Sequence, residues 1–163
     1  MIPIRILRVL AILAEKLESS KTSWAITGST SLALQGIDLV PNDIDILTDE
    51  AGAYTIANLF SEQVVSPLSF KRSPRYESHF GRLEVEGVTI EIMGNLRVFR
   101  GGQWSPIMTP QTRKVEIIEV ENQKVPVISL ASQKDSGYLK ERLGKTRSIF
   151  PRQEHFDGHR TPK

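Results

Sequence analysis

The chain has 163 residues, a formal net charge of +2 and no cysteine. That length gives one domain with a real core and is too short for two comfortable ones. Without cysteine there are no disulfides, thiolate zinc sites or cysteine nucleophiles, and a near-balanced charge excludes a polyelectrolyte that binds nucleic acid along its whole length.

Taken in chain order, Ile6, Leu10, Leu13 and Leu17 recur at helical spacing, so residues 4–19 read as an amphipathic packing helix. The apolar run at residues 9–14 is far too short to span a bilayer. The expectation is a cytoplasmic protein with no membrane partner. Trp24-Ala25-Ile26 opens a short buried strand (24–27), and Ser29 starts a helix (29–36). Residues 43–47 form a second strand. Asp49-Glu50 places acids in the first turn of a helix running to Phe60.

Residues 63–72 and 76–85 read as strands. Glu86-Gly87 is a tight-turn signal, so residues 79–93 read as a hairpin. Residues 101–110 read as a loop anchored by Trp104. Residues 115–120 and 124–128 form a second hairpin about Glu121-Asn122. Ser129 caps a helix over residues 129–143, and residues 150–163 are a tail with Pro151, Gly158 and Pro162. The expected organisation is one domain, residues 1–149, followed by that tail. Early alternation of strands and helices, then hairpins, gives a mixed α/β (α+β) sheet with helices packed against it.

Two features carry chemistry. Gly28-Ser29 is a small turn at the start of a helix, where backbone can approach a phosphate. Thirteen residues separate it from Asp43-Ile44-Asp45. Side chains two apart on a strand share a face, so Asp43 and Asp45 point the same way. Paired carboxylates can hold a divalent cation, and a third acid, Glu91, sits inside the apolar run Val88-Thr89-Ile90-Glu91-Ile92-Met93. Carboxylates inside apolar strands are costly unless paired or metal-bound. A plain Asp-x-Asp on a solvent-facing strand, or a plain strand-to-helix turn, would explain either feature alone. Their combination points to metal-assisted chemistry on a nucleoside triphosphate. No Gly-Lys-Ser/Thr follows Gly28-Ser29, so the turn is not a P-loop.

The pattern Thr27-Gly28-Ser29 … Asp43-Ile44-Asp45-Ile46, with Glu91 downstream, resembles the DNA polymerase β-like nucleotidyltransferase superfamily. Ser78-His79-Phe80-Gly81 and Glu91-Ile92-Met93-Gly94 resemble the small stand-alone members, including the AbiEii-like and lincosamide nucleotidyltransferase-like groups. The resemblance covers roughly Arg5 to Lys145. It implies the polymerase β-like fold and transfer of a nucleoside monophosphate from an NTP, such as ATP, to an acceptor with release of pyrophosphate. It implies two Mg²⁺ ions, replaceable by Mn²⁺, on Asp43, Asp45 and Glu91. Gly28 and Ser29 would hold the β/γ-phosphates. Lys140, in Tyr138-Leu139-Lys140 of the last helix, would touch the triphosphate or else be a solvated surface charge. Many AbiEii-like proteins carry a further acid after this helix. Here the stretch is Gly144-Lys145-Thr146-Arg147.

The acceptor stays open between a small molecule, a tRNA end and a protein side chain. From Lys134 onward there are eight Lys or Arg against four Asp or Glu, which suits a nucleic-acid acceptor or an ordinary solvated tail. A homodimer or partner subunit could supply the acceptor wall. The competing reading is a degenerate module of the same fold that binds nucleotide or a partner without catalysis. His79 either lines the site or is a half-buried strand histidine.

Overall fold

The computed structural model of the protein describes residues 1–135 and 148–150. The elements are α1 (Ile4–Glu18), β1 (Trp24–Thr27), α2 (Gly28–Leu34), β2 (Ile44–Thr48), α3 (Glu50–Leu59), β3 (Val64–Arg72), β4 (Tyr76–Val85), β5 (Val88–Arg100), β6 (Gln103–Trp104), β7 (Val115–Val120), β8 (Gln123–Ile128) and α4 (Leu130–Asp135). The strand order is β3-β4-β5-β2-β1-β8-β7, with β6 attached to β5. The β2–β5 and β1–β8 pairs are parallel and the other neighbours antiparallel, so the sheet is mixed as the alternation of elements implies.

Strand alternation separates two cores. On one face Ile26, Ile44, Ile46, Ile90, Ile92 and Val127 pack against Leu10, Leu13 and Leu17 of α1 and Ile56 of α3. Each such side chain contributes roughly 1.5–3 kcal/mol when fully buried. On the other face Ala25, Leu47, Phe80, Met93 and Ile128 form a smaller apolar cluster with Leu96, Met108 and Ile149. β2 is therefore buried along its whole length, covered on both sides.

The turns follow their residues. Glu86 and Gly87 both take positive φ (49° and 79°), as a two-residue hairpin between β4 and β5 requires. Glu121 and Asn122 do the same between β7 and β8. Asp49 caps α3 by accepting from the Gly52 amide at 2.6 Å. The Ser129 hydroxyl accepts from the Ser132 amide at 3.2 Å, so the expected cap is formed at the head of α4.

Two boundaries differ from expectation. β2 begins at Ile44, leaving Asp43 just outside the strand. β5 continues to Arg100 past Asn95, whose φ of 56° marks a bulge, and the expected loop after it contains β6. Helix α4 is described only to Asp135, so the expected continuation to residue 143, with Lys140, lies outside the described residues, as do residues 151–163.

Candidate active site

The register of the sheet assembles the site. Thr27 on β1 pairs with Asp45 on β2, Asp45 pairs with Glu91 on β5, and Glu91 pairs with Arg82 on β4. Paired residues on neighbouring strands share a face and stand about 4.8 Å apart. Thr27, Asp45, Glu91 and Arg82 thus form one row across the sheet. Alternation puts this row on the face of Leu47, Phe80 and Met93, opposite α1 and α3.

Gly28 closes one end of the row. Its φ is +72°, a region that favours glycine, and a Cβ at this position would run into the Asp45 carboxylate. The turn and the acid strand therefore touch. The next residues tie the turn down further. The Thr30 hydroxyl donates to the Asp43 carbonyl at 2.6 Å, and the Ser31 hydroxyl donates to the Gly28 carbonyl at 2.9 Å. The N-cap of α2 is Thr27, whose side chain makes no capping bond. Gln35 at the end of α2 donates to the Ile128 carbonyl at 2.9 Å and accepts from the Leu130 amide at 3.2 Å, which seats the start of α4 beside α2.

The three acids differ in setting. Asp43 is exposed, immediately before β2. Asp45 and Glu91 are each 5% exposed. Glu91 accepts from Arg82 Nε at 3.1 Å in a pair buried on both sides. The hard carboxylate oxygens of Asp43, Asp45 and Glu91 suit Mg²⁺ in kind, and Asp45 and Glu91 stand in register on one sheet face with Asp43 just before β2. Among the described residues, however, no three acidic or histidine side chains are gathered closely enough to form a ready-made metal cluster. The residues fit the cation by donor chemistry, and Glu91 is meanwhile engaged by Arg82.

A narrow cleft on this face is lined by Thr27, Leu47, Leu96, Met108, Ile128 and Arg113. Its volume of about 20 Å³ is room for a water molecule, not a base. His79 lies elsewhere. Its ring contacts the Tyr54 hydroxyl at 3.1 Å and Glu50 at 3.6 Å, both on α3, which is the face away from the acids. It is the half-buried strand histidine, not a site residue. Trp104 packs edge-on against Phe99 within β6 and β5, as an anchor would. Arg82 has no counterpart in the motif reading. Its only signal in the sequence is a basic residue at the core-facing parity of a strand, across a two-residue turn from Glu91.

Comparison with known proteins bears on the family and the fold. A solved protein of Thermotoga maritima, described as a nucleotidyltransferase, superposes with a TM-score of 0.79 at 36% identity, over 88% of this chain and 89% of that one. An antigenic nucleotidyltransferase-like protein of Paracoccidioides brasiliensis is more distant, at 15% identity and a TM-score of 0.42, over 84% of this chain and 73% of that one. No curated protein matches. The family model for aminoglycoside-2''-adenylyltransferase matches residues 8–145. The chain has the nucleotidyltransferase fold and belongs to the aminoglycoside-2''-adenylyltransferase family.

Proposed function

We propose that the protein transfers a nucleoside monophosphate from an NTP to an acceptor hydroxyl. The acceptor oxygen attacks the α-phosphorus, the bond from that phosphorus to the α,β-bridging oxygen breaks, and pyrophosphate leaves. The observation that carries the reading is the contact of Gly28 with Asp45, with Asp45 in register with Glu91 on one sheet face. The Gly28-Ser29 backbone would cradle the β/γ-phosphates. Asp43 and Asp45 would hold the divalent cations, two Mg²⁺ in this reading. When bound, these ions supply charge neutralisation at the triphosphate and a lowered acceptor-hydroxyl pKa. Glu91 would orient the acceptor hydroxyl and receive its proton. Lys140 would add a point charge on the triphosphate.

The family's name points to an aminoglycoside hydroxyl as acceptor, with a tRNA end or a protein side chain as the other classes. A second copy or a partner subunit would complete the acceptor wall, in the cytoplasm. No helix among the described residues is long and apolar enough to cross a membrane. One observation favours the second reading, a nucleotide-binding module without catalysis: the Glu91 carboxylate is already paired with Arg82. The test is incubation with each α-labelled NTP, Mg²⁺ and either an aminoglycoside panel or a cell extract. Label on an acceptor with equimolar pyrophosphate supports transfer. Nucleotide binding with no labelled product supports the module.

A further inference from the structure

Among the described residues, Arg82 is the only buried lysine or arginine. A buried guanidinium persists when its donors are satisfied, and this one is shared between two parts of the chain. Its Nε donates to Glu91 at 3.1 Å. Its Nη2 donates to the Phe150 carbonyl and, at 3.3 Å, to the Ser148 hydroxyl. The guanidinium also stacks over the Phe80 ring, 4.9 Å from its centroid. Phe80 in turn meets the Phe150 ring edge-on, centroids 4.9 Å apart. Ile149, between the two anchored residues, is buried in the apolar cluster of the acid-bearing face. Residues 148–150 therefore return across the face that carries Asp45 and Glu91, and Arg82 is the link between them.

We propose that Arg82 is a positioning residue: it holds Glu91 through Oε2 and makes that carboxylate's placement depend on the seating of residues 148–150. This rests on the nucleotidyl-transfer reading. Planar donors in a fixed fork suit the task. A lysine would keep the charge near Glu91, but its three donors leave from one nitrogen, whereas the guanidinium meets Glu91 through Nε and Ser148 and Phe150 through Nη2. Groups that orient a reacting or ligating side chain are worth on the order of 10–100-fold when removed.

The test uses the full chain with two independent variants, Arg82→Lys and Phe150→Ala. The second leaves Arg82 and Glu91 intact and removes only the ring that seats the segment. Three quantities are measured: affinity for a non-hydrolysable NTP analogue with Mg²⁺, kcat for pyrophosphate release with the wild-type acceptor, and hydrogen exchange at the Phe150 amide. The expected result is affinity within about twofold, kcat lower by on the order of tenfold or more in both variants, and faster exchange at Phe150 in both. Unchanged kcat in an active background overturns the proposal, as does a fall in affinity that matches the fall in kcat. A wild type that releases no pyrophosphate with any acceptor instead sinks the transfer reading, and the proposal with it.

Discussion

Gly28 and Asp45 are in contact across the junction of β1, α2 and β2, so closely that position 28 has no room for a side chain. The Gly28→Ala variant therefore carries two faults, a positive φ and a displaced carboxylate. It should lose about 1–3 kcal/mol of stability from the backbone strain. Its nucleotide affinity should fall by more than that stability loss explains, because Asp45 moves. Calorimetric unfolding alongside nucleotide titration separates the two. A folded Gly28→Ala protein that binds nucleotide normally would remove the turn from the site.

Nucleotide binding itself is expected to show as a thermal shift. A ligand that binds only the native state stabilises it by about 2.7 kcal/mol at a hundredfold excess over Kd. NTP with Mg²⁺ should raise Tm, and Asp45→Asn should abolish most of the rise. No shift with any of the four NTPs at saturating concentration would contradict nucleotide binding in both functional readings.

Lys140 provides a third check. If it is a point charge on the triphosphate, Lys140→Ala weakens nucleotide binding and leaves stability unchanged. Equal affinity for the two proteins would make it an ordinary surface lysine. Isothermal titration of one nucleotide against both decides this.

The fourth concerns pH. Glu77 is buried, which pushes its carboxyl pKa up, but hydrogen bonds and charge from Arg72 and Arg97 outweigh burial and hold it below the usual carboxylate range. Arg72 Nε donates to it at 2.8 Å and Arg97 Nη1 at 2.9 Å. A group with a lowered folded-state pKa stabilises fully above its unfolded value. That stabilisation fades as pH falls through the folded value. Stability should therefore drop below roughly pH 4, and Glu77→Gln should flatten that part of the curve. Urea unfolding of both proteins between pH 3 and 7 measures it, each pH taken on the order of one unit apart. Parallel curves would show that other carboxylates carry the acid sensitivity.

Local structure was legible in the sequence where local chemistry decides it. Glu86-Gly87 and Glu121-Asn122 specify their turns, Asp49 and Ser129 their helix starts, and the leucines of α1 its buried stripe. What was not legible depends on distant pairing. The parallel register that sets Asp45 beside Glu91 joins strands with α3 and the β3–β4 arm between them. Arg82 gains its role only from that register and from the return of residues 148–150. Phe150, with proline directly after it, reads as tail, yet its ring lies against Phe80. Asp43 and Asp45 look equivalent in a two-residue alternation. The strand start at Ile44 makes one exposed and the other buried.

The division of the sheet into two faces has a practical consequence. Arg5, Arg8, Glu15 and Glu18 form the outer, solvent-facing side of α1, and the apolar core and the sheet itself stand between that helix and the acids. Tethering the protein to a bead or biosensor through α1 would thus leave the sheet face that carries Asp45 and Glu91 untouched. Fluorophores or fusion partners attached there would stay on the far side of the sheet from the row Thr27, Asp45, Glu91 and Arg82.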